Sequence, residues 1–349
     1  MKTWLSLIAT LAMAACSNGK KEEPGSAPSA PTSGPVTLDA SGSTFQKAFQ
    51  EQAIADFTKA NPAIKINYGG GGSGKGRQDL SDMVTDFAGS DSPFKDEDLA
   101  KAKGGAVLYF PVVLGAVSLT YNVDGVDKLQ LSPDTIAKIF QREIKKWNDP
   151  SIAKDNPGAK LPAADIVVAH RADGSGTTDI FTKFLAGAAK DTWKLKSGST
   201  VEWPADTQAG QGNGGVAQIV KSTKGAIGYV DLSDAKASGL KYASVMNGGG
   251  KYVDPTAASV SAAAEAIDIK DNLTFSAVNG KGDAAYPITG QSYIIVYQKQ
   301  QDKAKADALR RYLKYLLTDA QKALPELDFA PLPKPLADKA LAQLDKISA

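Results

Sequence analysis

The sequence predicts an α/β protein, and its length, its composition and the order of its periodic segments carry that prediction. The chain has 349 residues, which at about 150 residues per domain suggests two domains. Hydrophobic residues make up 42% and charged residues 22%, ordinary globular values that exclude disorder as the overall state and a multi-span membrane protein. From Val36 onward, short β-rich runs alternate with segments of helical period, the pattern that builds sheets covered by helices. In chain order, residues 63–68, 106–113, 117–121, 166–170, 226–230 and 293–297 read as strands. Between them, Phe45, Phe49, Ala53 and Phe57 recur every four residues as one apolar helix stripe. Leu80, Val84 and Phe87 read as the start of a second stripe, and Phe181, Phe184 and Leu185 as the start of a third. The C-terminal part reads as helix over residues 301–317 and 334–347, broken by a Pro-containing stretch at 325–335. No internal repeat and no membrane-spanning run after Ala15 is expected.

Forty Lys and Arg against 38 Asp and Glu leave a formal charge of +2, so no nucleic-acid-binding surface is implied. Cysteine and histidine occur once each, as Cys16 and His170. A disulfide framework is therefore excluded within one chain, and any metal site or triad would have to rest on one imidazole. No metal site and no cofactor is expected.

Residues 1–15 carry Lys2 and then an apolar run too short to span a bilayer, which reads as a signal peptide. The run ends Met13-Ala14-Ala15-Cys16, small residues before a cysteine, similar to the bacterial lipoprotein cleavage box. From Ser17 to Pro35, 11 of 19 residues are Ser, Pro or Gly, a composition that buries no core and behaves as a tether. Such a tether reaches about 60 Å when fully extended. The box implies a diacylglycerol-bearing Cys16, a flexible segment over residues 16–35, and a body held on the periplasmic or cell-envelope side of a bacterial membrane.

Three Gly/Ser/Thr clusters each open a helical segment: residues 40–45 (ASGSTF), 69–76 (GGGGSGKG) and 171–178 (RADGSGTT). A helix start offers unpaired N–H groups and a partial positive charge, glycines admit a ligand to the backbone, and hydroxyls add short donors. The second cluster nearly forms a P-loop, but Gly76 stands where Ser or Thr would hold Mg²⁺, so nucleotide hydrolysis is not expected. In the third, the planar guanidinium of Arg171 suits a tetrahedral oxyanion, and Asp173 is placed to hold it. Asp91 lies in Ser90-Asp91-Ser92-Pro93, where a strand ends in turn residues.

Taken together, these segments resemble the periplasmic phosphate-binding proteins of high-affinity phosphate ABC transporters. The resemblance runs from about Val36 to Ile347. It rests on Gly42 to Phe45, Asn67-Tyr68 leading to Gly72-Ser73-Gly74, Asp86-Phe87 through Ser90-Asp91, Lys145-Lys146-Trp147, Arg171 to Thr177, Gly212-Asn213 with Gly215-Val216, and Gly225 to Val230. It implies a type II two-lobed periplasmic binding protein fold, each lobe a β-sheet flanked by helices, closing on phosphate in a cleft. Thr44 and Phe45 (through backbone N–H, with the Thr hydroxyl), Ser73, Asp91, Arg171, Ser175, Gly176 and Thr177 match the family's phosphate-contacting positions. Asp173 matches the arginine's partner. The second cradle departs from the family pattern in carrying Lys75, and His170 flanks the arginine.

The family pattern also implies two chain crossings between lobes, so that residues 36–115 with 286–349 form lobe I and residues 116–285 form lobe II. An ABC permease is the implied partner, and the chain is expected to act as a monomeric receptor, not an enzyme. Rival readings are a receptor for sulfate, molybdate or a phosphonate, and a phosphatase-like enzyme, for which no metal cluster or oriented Ser-His pair is evident.

Overall fold

The computed structural model describes residues 34–265 and 267–349. The expected signal peptide, Cys16 and the expected tether up to Ser33 lie outside the described residues.

The body begins with β1 (Val36–Gly42) and α1 (Lys47–Ala60), whose Phe49, Ala53 and Phe57 bury the first expected stripe. Each such aromatic is worth about 1.5–3 kcal/mol when fully buried. β2 (Ile64–Gly71), α2 (Ser73–Ser81), β3 (Phe87–Ser90) and the short α3 (Asp96–Leu99) follow. β1 lies between β2 and β3 and runs parallel to both, so α1 and α2 are the crossovers that parallel pairing requires. The expected second stripe fails here. α2 stops at Ser81, Met83 takes a left-handed φ of 61°, Val84 is 68% exposed, and Phe87 is a fully buried strand residue. The four-residue spacing of Leu80 and Val84 therefore spans a helix end and not a helix face.

β4 (Val107–Asn122) is one strand of 16 residues, buried throughout except at its ends, where two strands had been expected. Leu114, Gly115 and Ala116 carry the ladder straight through the expected break. Gly115 is needed there for packing: a Cβ would lie 2.7 Å from the Phe45 ring and 2.8 Å from Phe329.

The second half contains β5 (Gln130–Leu131), α4 (Pro133–Phe140), α5 (Pro150–Asp155), β6 (Val167–Arg171), α6 (Gly176–Ala188), β7 (Gln208–Gly210) and α7 (Gly212–Ser222). Then come β8 (Ala226–Asp231), α8 (Leu232–Ala237), β9 (Lys241–Tyr242), β10 (Ser244–Met246), β11 (Tyr252–Val253) and α9 (Ala257–Ala263). β12 (Thr289–Tyr297) returns the chain to the first half, where α10 (Lys303–Leu317), a 3₁₀ segment (Asp319–Leu327) and α11 (Lys334–Gln343) finish it. Part of the expected Pro-containing break is thus 3₁₀ helix, with Pro325 inside it.

The main sheet is nine-stranded, in the order β2-β1-β3-β12-β4-β8-β6-β7, with β9 also on β4; β11-β10-β5 form a small second sheet. β4 is shared by both halves. Residues Val107 to Ala116 pair with antiparallel β12, and Val117 to Asn122 pair with antiparallel β8. Beyond β8, β6 and β7 run parallel, so their C-terminal ends lead into α6 and α7. An aromatic cluster fixes α6 on this half: Phe181 meets Phe140 at 4.7 Å and Tyr229 at 4.5 Å between ring centroids. Pairs of this kind contribute roughly 0.5–1.5 kcal/mol beyond their buried area.

Candidate functional site

Two pairs of parallel strands, β1 with β2 and β6 with β7, deliver their helices to one place. β1 leads through residues 43–46 to α1, β2 to α2, β6 to α6 and β7 to α7. All four helix starts carry N–H groups that have no partner inside the helix, and the positive end of a helix dipole. The two halves touch there through backbone: Gly74 N–H donates to the Gly174 carbonyl at 2.8 Å. Glycine is required at two of these contacts. Gly72 has φ +90°, and a Cβ on it would lie 2.0 Å from Asp173 Oδ2. A Cβ on Gly176, the first residue of α6, would lie 2.3 Å from Asp91 Oδ2 and 2.4 Å from Ser73 Oγ.

Asp91 sits at the end of β3, 1% exposed. Its Oδ1 accepts from the hydroxyls of Ser43 and Ser292, both at 2.5 Å, and its Oδ2 accepts from Ser73 at 3.1 Å. Each serine oxygen is turned by a donor of its own: Phe45 N–H at 3.0 Å on Ser43, Gln46 Nε2 at 2.8 Å on Ser292, and Asp91 N–H at 3.1 Å on Ser73. A hydroxyl has one proton, so a serine that accepts an N–H there directs that proton at the carboxylate. Gln291 Nε2 holds the Asp91 carbonyl at 3.0 Å. Burial pushes the Asp91 carboxyl above its ordinary range, while the three hydroxyls and Arg171 oppose that rise. A carboxylate offers about four lone-pair sites, so three hydroxyl donors leave one for a further donor, on Oδ2.

Arg171 ends β6 with its side chain 1% exposed. Nε donates to Asp173 Oδ1 at 2.8 Å and Nη2 donates to Asp173 Oδ2, a bidentate pair. Nη1 donates to Asn213 Oδ1 at 2.9 Å and to Thr177 Oγ1 at 3.2 Å. Asp173 Oδ1 also accepts Gly212 N–H at 3.1 Å, which ties the arginine's partner to the start of α7. Ser175 is the N-cap of α6, its Oγ accepting Thr178 N–H at 3.1 Å. Thr44 Oγ1 accepts Asn213 N–H at 3.2 Å, across from the first half to the second.

These contacts gather Thr44, Phe45, Ser73, Asp91, Arg171, Asp173, Ser175, Gly176 and Thr177 into one connected cluster. Phe45 belongs to it by its N–H alone, because its ring is buried in the core against Phe329. Lys75 is turned away: its Nζ bonds Asp79, one turn along α2, and its side chain is 55% exposed. His170 is also occupied elsewhere. Its Nδ1 is 2.9 Å from the Arg171 carbonyl, its ring stacks on Trp203 at 5.1 Å, and burial lowers its pKa. Gln46, Gln291, Ser292, Asn213 and Asp231 are in or beside the cluster although the sequence reading gave them no role in a site. Asn213 lies in a recognised segment, and Ser292 and Gln291 come from β12, some 200 positions from Asp91. Among the described residues no group of three or more His, Cys, Asp or Glu is arranged to hold a metal, and no helix is long and apolar enough to cross a membrane.

Residues 25–320 match the model of the PBP superfamily domain. The chain is 36% identical over 341 residues to the phosphate-binding protein PstS of Methanocaldococcus jannaschii, covering 90% of this chain and 86% of that protein. It is 36% identical over 312 residues to the phosphate-binding protein PstS of Xylella fastidiosa, covering 88% and 84%. It is 34% identical to the phosphate-binding protein PstS 3 of Mycobacterium leprae, covering 94% of each. Among solved structures, a high-affinity periplasmic phosphate-binding protein bound with phosphate superposes with a TM-score of 0.75 at 22% identity, covering 88% of this chain and 94% of that one. A phosphate-binding protein from Stenotrophomonas maltophilia superposes with a TM-score of 0.70 at 21% identity, with the same coverage. These likenesses establish the two-lobed periplasmic binding protein fold.

Proposed function

The chain belongs to the PstS family of phosphate-binding proteins within the PBP superfamily, and from that premise we propose that it is an extracytoplasmic receptor that binds inorganic phosphate between its lobes and delivers it to an ABC permease. The observation that carries the ligand assignment is Asp91, a buried acceptor set among helix starts and facing the half that holds Arg171. Helix N-termini, hydroxyls and a guanidinium alone would hold sulfate as readily as phosphate. Asp91 separates the two: it accepts the proton of HPO₄²⁻ or H₂PO₄⁻, whereas fully ionised sulfate would set acceptor against acceptor. A buried unpaired acceptor costs about 1–3 kcal/mol, to which charge repulsion adds.

In this reading Thr44, Phe45, Ser73, Asp91, Arg171, Ser175, Gly176 and Thr177 bind the anion, and Asp173 fixes the arginine. The lobes are residues 36–115 with 286–349 and residues 116–285. The change of partner along β4, from β12 to β8 after Ala116, supports a crossing there. An anion held by Asp91 from one lobe and Arg171 from the other favours the closed arrangement, because only that arrangement supplies both sets of contacts. Cys16 carries a lipid anchor to a bacterial membrane, and the receptor acts as a monomer.

A phosphatase reading needs a base. His170 is engaged with the Arg171 carbonyl and with Trp203, which favours the receptor; release of phosphate from a generic ester would overturn this preference. Titration calorimetry of the body with phosphate and sulfate tests the whole assignment. We expect phosphate to bind with a dissociation constant of about 1 μM, near −8 kcal/mol, to exclude sulfate, and to lower the radius of gyration in small-angle scattering. No heat with phosphate, or equal affinity for sulfate, would sink it. In the same assay Gly72→Ala should weaken phosphate at least about tenfold, since the added methyl collides with the Asp173 carboxylate at a left-handed φ. Parent-like affinity in that variant would show that the close approach of α2 to residues 173–174 is not used in binding.

A further inference from the structure

Asn213, the second residue of α7, is fully buried and its polar groups are all engaged. Its Oδ1 accepts from Arg171 Nη1 at 2.9 Å, its Nδ2 donates to Asp231 Oδ2 at 2.7 Å, and its backbone N–H donates to Thr44 Oγ1 at 3.2 Å. Asp231 ends β8 at 1% exposure, and its other oxygen caps α8 by accepting Asp234 N–H at 3.1 Å. We infer that Asn213 is a positioning residue that couples lobe closure to the orientation of Arg171, with Asp231 setting the direction in which its amide faces.

The chemistry fixes that direction. A guanidinium only donates, so it takes the amide oxygen, and Asp231, each of whose oxygens accepts an N–H here, takes the NH₂; flipped, the NH₂ would face the arginine's own donors. Asp231 therefore acts on Arg171 through Asn213 although it does not touch the arginine. The backbone contact adds the coupling. By donating to Thr44 Oγ1, Asn213 takes an acceptor site of that hydroxyl and leaves its proton free to be donated. Thr177 is in the same position, its oxygen accepting from Arg171 Nη1. The Thr44 contact joins opposite lobes, so the donor arrangement of Thr44 and the setting of Arg171 are completed together on closure. The inference rests on the receptor reading above and deepens it.

The test measures inorganic phosphate binding by calorimetry and its dissociation rate by stopped-flow fluorescence, for the parent chain, Asn213→Ala, Asp231→Ser, Asp231→Asn and the double variant Asn213→Ala/Asp231→Ser. Serine keeps the α8 cap but has no acceptor that reaches Asn213; asparagine has one oxygen for the two roles, so turned to Asn213 it serves the amide and gives up the cap. Asn213→Ala is expected to weaken phosphate at least about tenfold, chiefly through faster dissociation, and Asp231→Ser by a smaller factor. Asp231→Asn should restore most of the affinity lost in Asp231→Ser. The double variant should bind like Asn213→Ala alone, because the two residues act in series. Parent-like affinity and dissociation in Asn213→Ala, or effects that multiply in the double variant, would overturn the inference. If Asn213→Ala does not fold by circular dichroism, the Asp231→Ser and Asp231→Asn pair decides, with equal affinities counting against the coupling. Absence of phosphate binding in the parent chain would instead overturn the receptor reading itself.

Discussion

Arg171→Ala is expected to weaken phosphate binding by about 2 kcal/mol or more, roughly thirtyfold, with part of that loss arising from what the substitution leaves behind. The guanidinium is 1% exposed and is fixed by Asp173, Asn213 and Thr177, so it supplies a desolvated, pre-oriented positive charge to the cleft. Its removal also strands Asp173, itself 7% exposed, and an uncompensated buried charge costs about 3–5 kcal/mol of stability. The two effects separate experimentally. Arg171→Ala with Asp173→Ala should recover much of the melting temperature but none of the phosphate affinity. Near-parent affinity in Arg171→Ala, measured by calorimetry on folded protein, would remove Arg171 from the site.

Asp91→Asn should narrow the phosphate-over-sulfate ratio by about 5- to 150-fold, the equivalent of the roughly 1–3 kcal/mol cost of an unpaired buried acceptor. The amide offers an NH₂ to sulfate where the carboxylate offers only lone pairs. The same logic sets a pH dependence for the parent chain. Burial holds the folded-state pKa of Asp91 above the ordinary carboxylate range, so the ionised form carries a cost to folding at neutral pH that is relieved as pH falls through that raised value. Protonated there, Asp91 becomes a donor and sulfate no longer meets a repelling acceptor. The selectivity of the parent should therefore fall on acidification through a window above the usual Asp range, while that of Asp91→Asn stays flat. Selectivity unchanged by the substitution, or an acid response shared by the variant, would show that another group discriminates the anions.

The features legible in the chain were those carried by near neighbours. The stripe Phe49, Ala53, Phe57 is set by helical period, the Ser175 cap by its place just before α6, and the Arg171 to Asp173 pair by two residues of spacing. The second stripe misled because Leu80 and Val84 keep helical spacing across a helix end at Met83, where a left-handed residue turns the chain. The merger of two expected strands into β4 was not legible either, since it depends on β12 pairing across residues 114–116 from far along the chain. Lys75 read as a group near the cradle, and its i+4 partner Asp79 draws it along the helix instead.

The sequence by itself therefore determined the α/β class, the helix starts rich in Gly, Ser and Thr, and the residue types that suit an anion, because each is encoded within a few positions. Only the tertiary structure decided how those residues are used. It sent the Ser43, Ser73 and Ser292 hydroxyls to Asp91, set Asn213 between Arg171 and Asp231, and placed Gly176 against the Asp91 carboxylate. Those contacts span up to 201 positions and follow from strand register, in which β3 lies between β1 and β12 and carries Asp91 to the cleft. A hydroxyl's proton goes wherever the nearest unpaired acceptor lies, and that neighbour is fixed by which strands pair rather than by which residues adjoin it in the chain.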